Sequence, residues 1–158
     1  MRVVIMGCGR VGAGLAQQLF REGHDVTILD TDAFAFQRLL PKFQGRRLHG
    51  SGTDDRTLIE AGIENADVFV AVASGDNRNI LASQKAKEMY GVKRVVTRVK
   101  DPLRAELFER LGLETFSPTK VGIELARDAM MRDGSMRDGS MRDGSVRGET
   151  GAAGEGTR

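Results

Sequence analysis

The chain has 158 residues and a hydrophobic content of 40%, which fits one ordinary globular domain and leaves no room for a separate substrate domain. Its single cysteine excludes an internal disulfide framework and any cysteine-based zinc site, and two histidines far apart, His24 and His49, form no local metal cluster. Net charge is +2, and the basic pairs Arg46-Arg47 and Lys93-Arg94 precede apolar strands without aromatic interleaving, so they read as solvated strand ends and no nucleic-acid partner is expected.

In chain order, Arg2 to Met6 reads as a strand and Arg10 to Glu22 as a helix with Val11, Leu15 and Leu19 inward and Gly23 ending it. The second strand closes at Asp30. Asp32 to Lys42 is expected to be helical with Phe36, Leu39 and Leu40 inward, followed by a short strand at Arg46 to His49 and the loop Gly50-Ser51-Gly52-Thr53-Asp54. Asp54 or Asp55 caps a helix to Ala61, with Gly62 after it. The continuous apolar run Asp67 to Ala73 predicts a strand buried on both faces. A long helix over Asp76 to Tyr90, a strand at Arg94 to Val99, a helix opened by Asp101-Pro102, a strand at Glu114 to Phe116 and a helix from Thr119 to Met131 complete the alternation.

Six strands alternating with helices imply right-handed crossovers and an α/β, doubly wound, Rossmann-like parallel sheet of order 3-2-1-4-5-6, occupying residues 1–131. Residues 132–158 differ in character. Met-Arg-Asp-Gly-Ser runs three times in succession from Met131, and a period of five turns successive Met residues by about 140° round a helix, so they share no face. With a Gly in every unit, a disordered low-complexity tail is expected.

Gly7-Cys8-Gly9-Arg10-Val11-Gly12 sits between the first strand and first helix, with Asp30 at the end of the second strand. That context turns a weak glycine pattern into a phosphate clamp. Gly7 permits the turn, Gly9 lets a pyrophosphate approach the backbone, and Gly12 lets the helix lie close to the sheet. The helix N-terminus favours the anion, while Asp30 is placed to accept from ribose hydroxyls and to disfavour a 2′-phosphate. Glycines that serve packing alone, with Asp30 as a helix cap, are the competing reading. Cys8 also carries two readings, a thiol activated near a helix N-terminus or merely a small side chain.

Gly7 to Gly12, Leu29-Asp30-Thr31-Asp32, Gly50-Ser51-Gly52-Thr53-Asp54, Ala66 to Val72, Asp76-Asn77-Arg78-Asn79 and Arg94 to Val99 with Asp101-Pro102 together resemble the nucleotide-binding N-terminal (TrkA-N) module of proteins that regulate conductance of potassium, of the TrkA/KtrA type. The match covers residues 1 to 130. The resemblance implies a regulator on the cytoplasmic side of a membrane that binds NAD (NAD+ or NADH) or ATP/ADP and gates a potassium-translocating subunit, as a homodimer or larger ring, with or without a second such protein. By position it places Gly7, Gly9, Arg10 and Gly12 at the phosphates and Asp30, with Thr31 and Asp32 beside it, at the adenosine ribose. Ser51 and Gly52 fall near the adenine, and Ala73, Ser74 and Arg98 at nucleotide-dependent contacts. On residue chemistry alone Arg10 is either a solvated charge or a bidentate phosphate ligand. Many members carry a second, smaller ligand-binding domain where this chain has its repeats.

A dehydrogenase is the competing class, since the same fold serves hydride transfer. Tyr90 is followed by Gly91-Val92-Lys93-Arg94 and so lacks the Tyr-x-x-x-Lys spacing of short-chain reductases, and neither histidine is placed as a base. The expectation is a binding module with no catalytic residue. Leu81 and Met89, with Ile80, Leu103, Leu107, Val121, Leu125 and Met130, exceed what one sheet face needs and mark oligomer contacts beside core. With no apolar run of membrane-spanning length and a strand at the N-terminus, a cytoplasmic location is expected, and the resemblance implies a position peripheral to the inner face of the membrane.

Overall fold

A computed structural model describes residues 1–132, so the repeats and the disorder expected of them lie outside the described residues. The elements are β1 (Arg2–Met6), α1 (Arg10–Arg21), β2 (Asp25–Asp30), β3 (Arg46–His49), α2 (Asp55–Glu60), β4 (Val68–Ala71), α3 (Asp76–Gln84), β5 (Arg94–Arg98), α4 (Pro102–Arg110), β6 (Glu114–Phe116) and α5 (Pro118–Met131). The strands form one sheet ordered β3-β2-β1-β4-β5-β6, every pairing parallel. Val3 lies between Val26 and Val68, which fixes the central register.

Alternation along the strands divides the core. Val3, Ile5, Val26, Ile28 and Val70 turn to the side covered by α1, where Ala13 and Ala16 are buried. Val4, Met6, Leu29, Phe69 and Ala71 turn to the other side, against Leu58 of α2 and Ala82 of α3. Both faces are covered, as a parallel sheet requires. Ile80, Val99, Ala105 and Leu113 make a smaller cluster under α4.

Three expectations need correcting. Residues 32–42 are not an α-helix: a 3-10 segment, Ala33–Arg38, is capped by Asp32 and ends at Leu39, whose ψ of 129° is extended. Pro41 disfavours helical backbone at the residue before it, so the helix cannot run on. Leu40 is exposed, and its N–H donates to Gln17 Oε1 at 3.0 Å. Val11 is likewise exposed, because α1 meets the sheet through its smallest residues, Gly12, Ala13 and Ala16. Third, α3 does not reach Tyr90 as a regular helix: Lys85–Met89 form a π turn, closed by the Tyr90 N–H donating five residues back to the Lys85 carbonyl at 3.2 Å. Of the apolar residues divided between core and oligomer contacts, Ile80 falls in the core. Among the described residues no helix is long and apolar enough to cross a membrane.

Candidate functional site

β1 and β4 are neighbours, while the crossovers leaving them run to opposite sides, so a crevice opens at their C-terminal ends. The three glycines of the turn after β1 do different work. Gly7 has φ of 106°, and a Cβ there would meet the backbone N of Ala73 at 2.6 Å. Its N–H donates to the Leu29 carbonyl at 2.8 Å, so the turn is pinned between β2 and the exit of β4. A Cβ on Gly12 would collide with the Gly7 carbonyl. At Gly9, by contrast, nothing lies within 4 Å. Gly9 is also the N-cap of α1, with no capping side chain and no acid in the first turn. Gly9 therefore leaves room for a ligand to approach the main chain beside a helix start whose first-turn N–H groups have no capping side chain, an arrangement that suits an anion.

Asp30 joins the two loops. Its carboxylate accepts from Cys8 N–H at 2.6 Å and from Asp32 N–H at 2.9 Å, which aligns the glycine turn with the β2 exit. Asp32 accepts from Phe34 N–H at 2.9 Å. The Thr31 carbonyl takes a 3.0 Å bond from His49 Nε2, which must carry the proton because a carbonyl only accepts. Cys8 is fully buried, with its thiol 3.4 Å from the Ala35 carbonyl. Burial first, and the Asp30 charge second, push the thiol pKa from 9.0 up to about 11. The thiol stays protonated, which overturns the activated-thiol reading in favour of the small side chain.

Two cavities adjoin in the crevice. The larger, about 330 Å³, is lined by Gly7, Cys8, Gly9, Asp30, Thr31 and Asp32 together with Ala73, Ser74, Arg38, Arg78 and Arg98. The smaller, about 30 Å³, lies over Met6 and Leu29 and is walled by the loop Gly50, Ser51, Gly52 and Thr53. Gly52 is required there, since a Cβ would run into the Met6 side chain. Ser51 Oγ lies 2.9 Å from Thr53 Oγ1, and the loop is further closed by the Asp54 N–H donating to the Ser51 carbonyl at 3.0 Å. Arg78 lines both cavities and stands between them, its guanidinium donating to Ser74 Oγ at 3.2 Å.

Beneath the larger cavity lies a buried polar node. Arg98 donates to the Ala73 carbonyl at 2.8 Å, and Asn79 Nδ2 donates at 2.9 Å to both the Ala73 and Arg98 carbonyls. Arg98 Nε, Asn79 Oδ1 and Asp76 Oδ1 are buried without a partner. Unpaired buried groups of this kind are costly unless water or a ligand completes them.

The structure thus brings Gly7, Cys8, Gly9, Asp30, Thr31, Asp32, Ser51, Gly52, Ala73, Ser74 and Arg98 together in one crevice. Arg10, Val11 and Gly12 line neither cavity. Sequence reading passed over Arg38 and Arg78 as site residues, although Arg78 stood inside the motif Asp76-Asn77-Arg78-Asn79. Three guanidinium groups against the carboxylates of Asp30 and Asp32 leave the larger cavity net positive, suited to phosphate. Among the described residues no group of three or more His, Cys, Asp or Glu side chains is placed to hold a metal.

A stretch of 120 residues is 52% identical to the Trk system potassium uptake protein TrkA of Streptomyces coelicolor, covering 76% of this chain and 54% of that one. Over 114 residues the chain is 40% identical to a Trk system potassium uptake protein TrkA homolog of Methanothermobacter thermautotrophicus, covering 72% and 52%. The chain spans about half the length of these relatives. Among solved structures, the Shewanella denitrificans Kef CTD, described in an AMP-bound form, superposes with a TM-score of 0.70 at 21% identity, covering 85% of this chain and 84% of that one, a likeness of fold. The family model for the TrkA-N domain matches residues 3–118, and the chain belongs to that family.

Proposed function

We propose that this chain is the nucleotide-sensing module of a regulator that gates a membrane potassium uptake system, binding NAD+ or NADH, or alternatively ATP or ADP, in the crevice between β1 and β4. The observation that carries the reading is the open, uncapped α1 N-terminus at Gly9 facing a cavity edged by Arg38, Arg78 and Arg98, with Asp30 beside it. An anionic chain at Gly9 and a ribose at Asp30 fit that division of charge. The potassium-uptake names of its relatives supply the context, and AMP in the Kef neighbour is in keeping with an adenine nucleotide.

Gating would follow from differential binding, since a ligand moves an equilibrium only by the difference in its affinity for the two states. Nucleotides that engage Arg98 and the Ala73 to Asp76 loop unequally would favour different arrangements of neighbouring subunits in a homodimer or ring, with or without a second protein of the same kind. The partner would be the potassium-translocating membrane subunit, and the module would sit on its cytoplasmic side. It performs no chemistry of its own in this reading.

Calorimetric titration of the full chain with NADH, NAD+, ATP and ADP tests the proposal. Binding of at least one is expected, weakened by about tenfold or more in Asp30→Ala, because loss of the carboxylate removes ribose acceptors and frees both loops. Absence of binding by all four would refute it.

A further inference from the structure

The loop Gly50 to Thr53 walls the smaller cavity, yet it hangs from β3, which among the described residues is an edge strand paired only with β2. Its internal bonds are short-range, and Gly50 N–H reaches only to the Asp30 carbonyl, at 2.9 Å. Among the described residues one side chain from beyond α2 donates to it. Lys85, at the first position of the π turn, donates from Nζ to the Thr53 carbonyl at 2.8 Å and pairs with Asp55 Oδ1 at 2.7 Å. Tyr90, from the far end of that turn, donates its hydroxyl to the same Asp55 oxygen at 2.8 Å.

Three features set this apart from an ordinary surface ion pair. The Lys85 side chain is only 16% exposed, so its ammonium is held in a half-dry position. One of its donors is spent on a loop carbonyl, not on the carboxylate alone. And the π turn is what brings Lys85 and Tyr90 to the same acid: a hydrogen bond five residues long replaces the regular ladder where the two side chains leave the helix. Such turns cost helix stability and are frequent at functional sites.

We infer that Lys85 is a positioning residue for the nucleoside end of the crevice, holding the Thr53 carbonyl so that the Gly50 to Thr53 wall is set before the ligand arrives, with Asp55 and Tyr90 fixing its ammonium. The inference rests on the nucleotide-binding reading above. Its physical content is pre-organisation: a wall already ordered leaves less conformational freedom to lose on binding. Because Lys85 acts on the loop and lies apart from the glycine turn, its influence falls on the nucleoside and not on the phosphates.

The test is titration of the full chain and of Lys85→Met with adenosine, AMP, ATP and inorganic pyrophosphate, with thermal melts alongside. The dissociation constants for the three adenosine ligands are expected to rise by about tenfold together, while that for pyrophosphate stays put. A general loosening of the fold would not produce that split. Asp55→Asn, which leaves the lysine donor in place, is expected to raise the same three constants by about threefold and provides the decision if Lys85→Met does not fold. Adenosine binding unchanged in the folded variant, or a loss shared equally by pyrophosphate, overturns the role of Lys85 while leaving the nucleotide reading intact. Wild-type protein that binds none of the adenosine ligands, NADH or NAD+ removes both.

Discussion

Gly7 and Gly9 stand two residues apart in one motif and answer to different physics. Gly7 lies in left-handed backbone with the Ala73 main chain against the place a Cβ would take. Gly7→Ala is therefore expected to cost about 2 to 4 kcal/mol of unfolding free energy in urea titration, from strain and overpacking together. Gly9 has ordinary extended backbone, φ −76° and ψ −168°, and open space around it. Gly9→Ala is expected to leave stability within about 0.5 kcal/mol of wild type while weakening nucleotide binding at least about tenfold, since the added methyl occupies the ligand's approach. Equal effects of the two substitutions on stability would contradict this division. The motif itself was legible because its spacing is local. Arg38 and Arg78 were not, because each reaches the crevice only once β2 and β4 have been brought side by side with β1.

At the level of elements, punctuation explains what was and was not legible. Asp54, Asp101 and Ser117 each accept a bond from a first-turn N–H, and each marked its helix start in the sequence or stood within two residues of it. The 3-10 segment and the π turn are not legible in the sequence because apolar periodicity does not separate these helices from the α form; only the stop before Pro41 carries a local signal. Ser117 does more than cap. Its buried hydroxyl donates to the Lys100 carbonyl at 2.8 Å, and Lys100 N–H donates to Asp76 Oδ2 at 3.0 Å, so the start of α5 is bonded to the loop that begins α3 beside the crevice. Ser117→Ala is expected to lower stability by about 1 to 2 kcal/mol, through loss of the cap and of the hydroxyl's bond to the Lys100 carbonyl. Hydrogen exchange should then show faster exchange at the N-terminal turn of α5 and at Lys100, with β1 and β2 unchanged; uniform exchange rates would deny the link.

Across the described residues, the core clusters draw on both faces of the sheet and the layers covering them, while no residue of α5 is itself buried. Ile123, Leu125 and Met130 are 61%, 63% and 80% exposed on it, and Leu103 and Leu107 of α4 are exposed as well. A helix with exposed apolar side chains and no buried residue suits a surface that another chain covers, since contiguous apolar patches are uncommon on soluble monomers. In the regulator proposed here the partner is a second copy, and the Ser117 bond makes the α5 surface and the crevice mechanically adjacent. Sedimentation velocity of the wild-type chain should therefore report a dimer or larger assembly, and Leu125→Asp with Val121→Asp, one turn apart on the same face of α5, should shift it to monomer, because two carboxylates would be buried unpaired in the interface. The α5 residues line neither crevice cavity, so the monomeric variant should still bind nucleotide; what it should lose is any dependence of affinity on protein concentration. A wild-type monomer at every concentration would place the apolar face outside self-assembly.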